Sequence, residues 1–287
     1  MIPGDQPAPL SLVQRGWWWV SDYAYAAVRQ LAIVTAPWTL GRPRPAPPAW
    51  RSGSDQLPEV ILLPGVYEHW TFLRPLGHAL NAAGHRVKVV HGLGMNRRGI
   101  VETSDRLGRA LAARPAPPAG RVLVAHSKGG LIGKHLLVSS GAAADAAIEA
   151  AKGGDPADAA AHATAPAGDG SVPQRPLGLL GLVAVCTPFH GSPLAGLFVV
   201  PSIRAFLPDD ETIVMLGRDE SVNGRIVSVF GRFDPHIPDG SSLDGATNLI
   251  VPSSGHFRVL GSPQTHTAVL DGIRMLSIDS SRAEGGG

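Results

Sequence analysis

The sequence predicts an α/β fold with a mostly parallel central sheet of about six strands flanked by helices. Short continuous apolar runs alternate with Ala- and Leu-rich stretches, which is typical of buried parallel strands joined by helices. The chain of 287 residues is 44% hydrophobic, so it is able to bury a large core. One apolar run ends in a serine that immediately precedes a predicted helix. This serine is the first candidate catalytic residue.

The candidate nucleophile is Ser127, within the strand, turn and helix predicted at 121–133. A serine hydroxyl is a weak nucleophile in water, so it must stand clear of the sheet edge beside a base and backbone N–H groups. Ala125 and Gly129 flank Ser127 at the outer positions of a G-x-S-x-G elbow, where larger side chains would collide. Gly130 is expected to let the helix pack closely. Alanine replaces the first glycine of the motif.

On these residues the chain resembles serine esterases and lipases of the α/β-hydrolase fold, closest in pattern to small bacterial lipases with an Ala-x-Ser-x-Gly elbow. The resemblance covers roughly residues 58–277. It implies a serine, acid, histidine order along the chain and an oxyanion hole of two backbone N–H groups. These would be the amides of Val66, after the strand at 59–63, and of Lys128. Pro64-Gly65 stands where such lipases usually carry His-Gly.

The candidate acid is Asp234, which lies just beyond the apolar strand at 226–230. Its role would be to hold one tautomer of the base and to stabilise the imidazolium that forms during attack. Asp239 and Asp244 lie downstream in the same loop and are the alternatives. Both stand in ordinary turn sequences, so solvated turns are the favoured interpretation.

The candidate general base is His256, which follows a short strand at 249–251 and a glycine that frees the backbone. His266 is the alternative. Pro263 is typical of the first residue of a helix, which would place His266 inside the closing helix rather than at the sheet edge.

Four residues are expected to line the substrate site, although core or structural positions suit them equally: Tyr67, Phe189, His190 and Leu197. His190 follows the strand at 182–186 in a loop that resembles one found in many lipases. A purely structural turn is the alternative for His190.

The domain prediction is an aromatic-rich helical segment at 1–40, a Pro-rich linker at 41–58 and a catalytic domain at 59–287. A flexible insertion is expected at about 140–176, part of it helical, and the segment at 197–216 is a candidate substrate cap. Three charges interrupt the apolar stretch at 10–37, so a membrane-spanning helix is not expected. Its aromatic residues would either cover a hydrophobic surface of the domain or contact a membrane peripherally.

Composition argues against several other classes of function. The formal charge of +2 is small and the arginines are scattered, so no nucleic-acid partner is expected. Cys186 is the only cysteine, which precludes an internal disulfide and makes a structural zinc site unexpected. The glycine-rich stretches lack the spacing of nucleotide-binding loops, so neither cofactor nor metal is expected. A cytoplasmic location, with peripheral membrane contact as an option, is the corresponding expectation.

Together these features predict a serine-dependent carboxylic-ester hydrolase that acts on lipid-like esters through an acyl-enzyme. A thioesterase, lactonase or amidase using the same triad is an alternative, since all proceed through a tetrahedral oxyanion. A non-catalytic binding protein of the hydrolase fold is the alternative from a different class.

Overall fold

Six parallel strands form one sheet in the computed structural model, which describes residues 11–34, 45–153, 177–197 and 204–285. The order across the sheet is β2-β1-β3-β4-β5-β6, and every neighbouring pair is parallel. The strands are β1 (Glu59–Leu63), β2 (Val87–Val89), β3 (Arg121–His126), β4 (Leu179–Val185), β5 (Ile226–Gly231) and β6 (Thr247–Val251). The predicted mostly parallel sheet of about six strands is confirmed.

Helices cover both faces of the sheet. They are α1 (Leu12–Val34), α2 (Arg74–Ala82), α3 (Ile100–Ala112), α4 (Lys128–Gly153), α5 (Glu211–Arg218) and α6 (Pro263–Gly285). Short 3-10 helices lie at Pro48–Arg51, Trp70–Leu73, His91–Leu93, Pro193–Leu197, Asn223–Arg225 and Arg258–Gly261. Apolar side chains of α3, α4 and α5 share one core cluster with one face of the sheet, and those of α2 and α6 share the cluster on the other.

The central strand β3 is buried along its whole length, as expected for a parallel strand covered on both faces. Because all six strands run the same way, their carboxyl ends meet at one edge of the sheet. The loops that follow β1, β3, β4, β5 and β6 therefore converge on this edge, which we call the catalytic edge. It carries every residue of the predicted Ser-Asp-His set.

The described parts of the predicted segments fall into regular elements. The extra N-terminal helix is present as α1. Within the predicted linker, Trp50 is fully buried and packs its ring 5.5 Å from that of Trp70. The first part of the predicted insertion continues α4 to Gly153, while residues 154–176 lie outside the described residues. Of the candidate cap, residues 198–203 lie outside them and α5 forms the end.

No helix among the described residues combines the length and apolar character needed to cross a membrane.

Candidate active site

Ser127 occupies a sharp turn between β3 and α4, with a backbone φ of 51°. This left-handed region is costly for a residue with a Cβ, and such strain is typical of functional turns. Two hydrogen bonds fix the turn: the Ser127 N–H donates to the Val185 carbonyl at 2.9 Å, and the Thr187 hydroxyl donates to the Ser127 carbonyl at 3.0 Å. The neighbouring strand β4 therefore helps to hold the serine in its strained conformation.

The two glycines after Ser127 are required by close packing. A Cβ on Gly129 would come within 3.0 Å of the Leu63 carbonyl oxygen, and one on Gly130 would come within 3.0 Å of the Thr187 hydroxyl. Real side chains do not approach that closely, so α4 begins against β1 and the Thr187 loop only because these residues are glycine. The elbow interpretation of these two positions agrees with this geometry.

His256 and Asp234 form a buried hydrogen-bonded pair at the catalytic edge. The His256 Nδ1 lies 2.8 Å from an Asp234 carboxylate oxygen. The other carboxylate oxygen accepts the backbone N–H groups of His236 and Ile237 at 2.8 and 3.2 Å. The carboxylate is thus fixed in orientation by its own loop, and it directs the Nε2 of His256 away from itself.

Electrostatics favour an ionised Asp234 beside a basic His256. Burial of the imidazole opposes its charging, but the Asp234 charge and hydrogen bond, with smaller contributions from Glu68 and Asp22, raise the pKa of His256 above its ordinary value. Burial also acts to raise the pKa of Asp234, yet the charge and hydrogen bond of His256 and a backbone N–H bring it below its usual value. This combination suits an acid that orients a base without taking its proton.

The rival residues lie elsewhere. Asp239 and Asp244 are exposed. His266 lies within α6, which begins at Pro263, and its Nε2 contacts the Leu260 carbonyl at 2.8 Å. None of the three makes a hydrogen bond to His256 within the described part of the chain.

A second carboxylate–imidazole pair lies next to the first. The Nδ1 of His126 is 2.8 and 3.0 Å from the two carboxylate oxygens of Glu68, and its Nε2 is 2.9 Å from the His256 carbonyl oxygen. His126 thus links the loop after β1 to the loop that carries His256. The rings of His126 and His256 lie 4.7 Å apart.

Val66 lies in the loop expected to supply one oxyanion donor, and this loop is tightly held. The Gly65 N–H donates to Glu68 at 2.7 Å, and Tyr67 has a positive φ of 57°. The second expected donor, the amide of Lys128, opens α4. Amides of a first helical turn have no partner within the helix and carry its positive dipole end, which suits an anion.

The side chain of Lys128 is buried rather than directed to solvent. Its ammonium donates to the carbonyl oxygens of Asn96 and Arg98. Asn96 in turn donates from its side-chain amide to the Pro64 carbonyl at 2.7 Å. Burial lowers the pKa of Lys128 to about 8. The lysine therefore acts as a tether between the elbow and the loop after β2, and its ammonium is used internally instead of attracting anionic substrates.

Asp22, on α1, contacts the loop that carries the candidate base and was not identified from the sequence. Its carboxylate accepts the backbone N–H groups of His256, Phe257 and Arg258 at 3.1, 2.9 and 2.9 Å, and it is fully buried. Gly255 has a φ of 105°, and a Cβ there would approach within 3.0 Å of the Asp22 carboxylate. The glycine thus permits the close approach of α1.

His236 is an aromatic neighbour of the base rather than a competitor for its role. Its ring lies 4.9 Å from that of His256 and packs against Trp19 and Tyr23 of α1 at 5.4 and 5.3 Å. Burial, together with the charge of His256, lowers the pKa of His236 to about 3. It therefore stays neutral in the pH range where esterases work.

The four expected substrate-binding residues occupy different environments. Tyr67 is partly buried in the loop after β1, with Arg97 5.3 Å from its ring centre. Phe189 is buried within the core cluster on the α4 side, whereas His190 is exposed. Leu197 ends a 3-10 helix, and its side chain lies outside the described residues. Contact of any of them with substrate stays a prediction.

Cys186 lies against the acid–base pair at the end of β4. Its sulfur, an Asp234 oxygen and a His256 nitrogen all lie within 4.8 Å of one another. Burial, followed by the charge of Asp234, raises the pKa of the thiol well above its ordinary value. The thiol is therefore a neutral neighbour of the acid–base pair.

Comparison with known proteins identifies similar folds only. No family model and no curated protein matches the chain. Lipase B from Aspergillus fumigatus is 16% identical with a TM-score of 0.53, covering 80% of this chain and 55% of that one. Alpha/beta hydrolase domain-containing protein 10 from mouse is 14% identical with a TM-score of 0.49, covering 79% and 91%. A structure of the metagenome-derived lipolytic enzymes LipS and LipT is also 14% identical, with a TM-score of 0.49 over 78% and 95%.

Proposed function

Since the chain has the α/β-hydrolase fold and resembles lipases and esterases of that fold, we propose that it is a serine-dependent carboxylic-ester hydrolase. Ser127 attacks the ester carbonyl carbon through Oγ while its proton passes to Nε2 of His256. The carbonyl oxygen becomes an oxyanion held by the amides of Val66 and Lys128. Collapse of this intermediate breaks the bond to the alcohol, which leaves with the proton from His256. A water molecule then attacks the acyl carbonyl carbon while His256 takes its proton. Collapse of this second oxyanion, with transfer of the proton from His256 to Ser127, releases the carboxylic acid and regenerates the serine.

The observation that supports this proposal most strongly is the buried His256–Asp234 pair at the same edge as the strained elbow. A carboxylate at 2.8 Å from Nδ1 leaves Nε2 as the unprotonated nitrogen, which is the form a general base requires. His126 precedes Ser127 and lies against His256 through both its ring and its hydrogen bond to the His256 carbonyl. The base is therefore next to the elbow in space, although it lies 129 positions after Ser127 in sequence.

A matched pair of serine variants tests the proposal. Ser127→Ala should reduce turnover of p-nitrophenyl esters to background, a loss on the order of 10⁶-fold in comparable triads. Ser221→Ala, at an exposed serine between α5 and β5, should retain wild-type turnover. Circular dichroism should show that both variants are folded. Wild-type kcat/KM in folded Ser127→Ala would overturn the assignment.

Lipid-like esters are the proposed substrate class. The support is the aromatic and aliphatic character of the side chains near the elbow, such as Val66, Tyr67 and Phe257. A chain-length series of p-nitrophenyl esters, with matched thioesters and an anilide, measures this preference as kcat/KM. The proposal predicts higher values for octanoyl than for acetyl esters. A preference for acetyl would overturn the lipid-like class, and faster thioester than ester hydrolysis would assign a thioesterase instead.

A further inference from the structure

Among the described residues, nothing packs on the outward face of α1, which is an apolar stripe. Viewed at 100° per residue, positions 13, 17, 20, 24, 27 and 28 lie on one side of the helix. The stripe consists of Val13, Trp17, Val20, Ala24, Ala27 and Val28, all of which are exposed. Its larger members are 82% (Val13), 67% (Trp17), 66% (Val20) and 65% (Val28) exposed. We call these six residues the outer stripe. Contiguous exposed apolar surface of this kind is typical of an interaction site.

The opposite face fixes α1 to the domain, so the direction of the outer stripe is well defined. Asp22 is buried under the His256 loop, and Tyr25 packs its ring against Gly261. The Arg258 guanidinium lies 4.8 Å above the Trp18 ring. At 100° per residue, Asp22, Trp18 and Tyr25 lie roughly 110–170° from the centre of the outer stripe. The stripe is therefore the solvent-facing side of an anchored helix.

No acid of α1 is exposed, and two arginines lie in loops beside the helix. Arg15, Asp22 and Arg29 are the only charged residues in the helix sequence. Asp22, the one acid, is fully buried, and Arg29 lies on the same inward side of the helix. Arg97 and Arg258 stack on aromatic rings in the neighbouring loops. Tryptophan and tyrosine favour the level of lipid headgroups, and arginine is attracted to anionic lipids. An apolar face with an exposed tryptophan, on a helix without an exposed acid, matches a helix that lies in a membrane interface.

The size of the outer stripe argues against a second copy of this chain as the occupant. Stable protein interfaces use roughly 20–30 residues from each partner, whereas the stripe supplies six. Insertion into a bilayer needs only the apolar face of one helix.

We propose that α1 binds the surface of an anionic lipid bilayer through the outer stripe, with the helix lying in the plane of the interface. The contacts of α1 with the His256 loop, and of Gln30 with the Tyr67 carbonyl at 3.4 Å, place the catalytic edge directly beneath this helix. Membrane binding would hold that edge close to the bilayer, where lipid esters are concentrated. The binding itself does not depend on the proposed hydrolase activity.

Vesicle co-sedimentation tests the proposal. Full-length protein should sediment with vesicles of phosphatidylcholine and phosphatidylglycerol. Trp17→Glu and Val20→Glu should each lower the partition coefficient about tenfold or more, because a charge replaces an inserted apolar side chain. Ile278→Glu is the matched control. It changes a 51% exposed aliphatic residue in α6, fifteen residues and about 22 Å along the helix from Pro263, and it should bind as wild type.

Two further measurements separate this proposal from the hydrolase proposal. Ser127→Ala should bind vesicles as wild type, so loss of catalysis and loss of binding are distinguishable. Val20→Glu should hydrolyse a soluble short-chain ester at the wild-type rate. Wild-type protein that remains in the supernatant, or glutamate variants that sediment as well as wild type, would overturn the proposal. A concentration-dependent dimer in analytical ultracentrifugation that Val20→Glu abolishes would instead assign the stripe to a second copy.

Discussion

At the residue scale, the protonation of His256 connects the geometry to a measurable rate. Its ring is buried, which disfavours the charged form, yet three carboxylates surround it. Asp234 bonds to Nδ1, and the charges of Glu68 and Asp22 add to its effect, so the pKa lies above the ordinary value of 6.5. A general base must be neutral before it accepts the proton from serine. Activity is therefore lost as the pH falls through this raised pKa.

The pH profile of kcat/KM should show an acid limb whose midpoint lies above 6.5. The rate should rise with pH through that midpoint as His256 loses its proton. Asp239→Asn, which removes an exposed carboxylate from the same loop, should leave the midpoint unchanged. A midpoint below 6.5 for a soluble ester would show that burial lowers the pKa of His256 by more than the neighbouring carboxylates raise it.

At the element scale, α1 supports the loop that carries the base. A single carboxylate on this helix satisfies three consecutive backbone N–H groups of residues 256–258. Buried N–H groups without an acceptor are costly, so the loop conformation depends on Asp22. The helix thus acts as a positioning element for the candidate base, and the residues that touch substrate lie in other elements.

Asp22→Asn should lower kcat/KM about 10- to 100-fold, because a small displacement of a catalytic group has a large kinetic effect. The amide keeps the shape but offers one acceptor oxygen and no charge. Loss of the charge should also move the acid limb of the pH profile to lower pH, since Asp22 helps to raise the pKa of His256. A purely structural role would leave that midpoint in place.

Asp55→Asn is the control for this experiment. It removes the carboxylate of a residue whose side chain is 75% exposed and pairs with Arg86. This ion pair lies outside the hydrogen-bond network of the base. It should change neither the rate nor the midpoint. An unchanged midpoint in a folded, active Asp22→Asn protein would refute the electrostatic part of the account.

At the scale of the whole molecule, the features that could be predicted are those that depend on neighbouring residues in the sequence. The strands, the Ser127 turn and its two glycines follow from neighbouring residues, and so do Asp234 and His256, since each comes shortly after an apolar strand. The parallel sheet then brings the strand ends together.

Contacts between distant segments could not be predicted in this way. The Asp22 contact spans 234 residues, and the Glu68–His126 pair spans 58. A local signal existed for Asp22, because an isolated acid on the same helical face as Tyr25 and Arg29 indicates an inward position with a polar partner. Phe189 illustrates the remaining ambiguity, since an aromatic residue after a strand suits a pocket wall and a core equally. Only the packing of α4 against the sheet places its side chain in the core.

Mapping the site of covalent modification by a fluorophosphonate tests the central claim most directly. The probe reacts with an activated serine and leaves a phosphonyl group on its oxygen. Peptide mass spectrometry of the labelled wild-type protein should find the added mass on Ser127, and Asp234→Asn should label far more slowly. An active protein that carries the adduct on another serine, or remains unlabelled, would contradict the account.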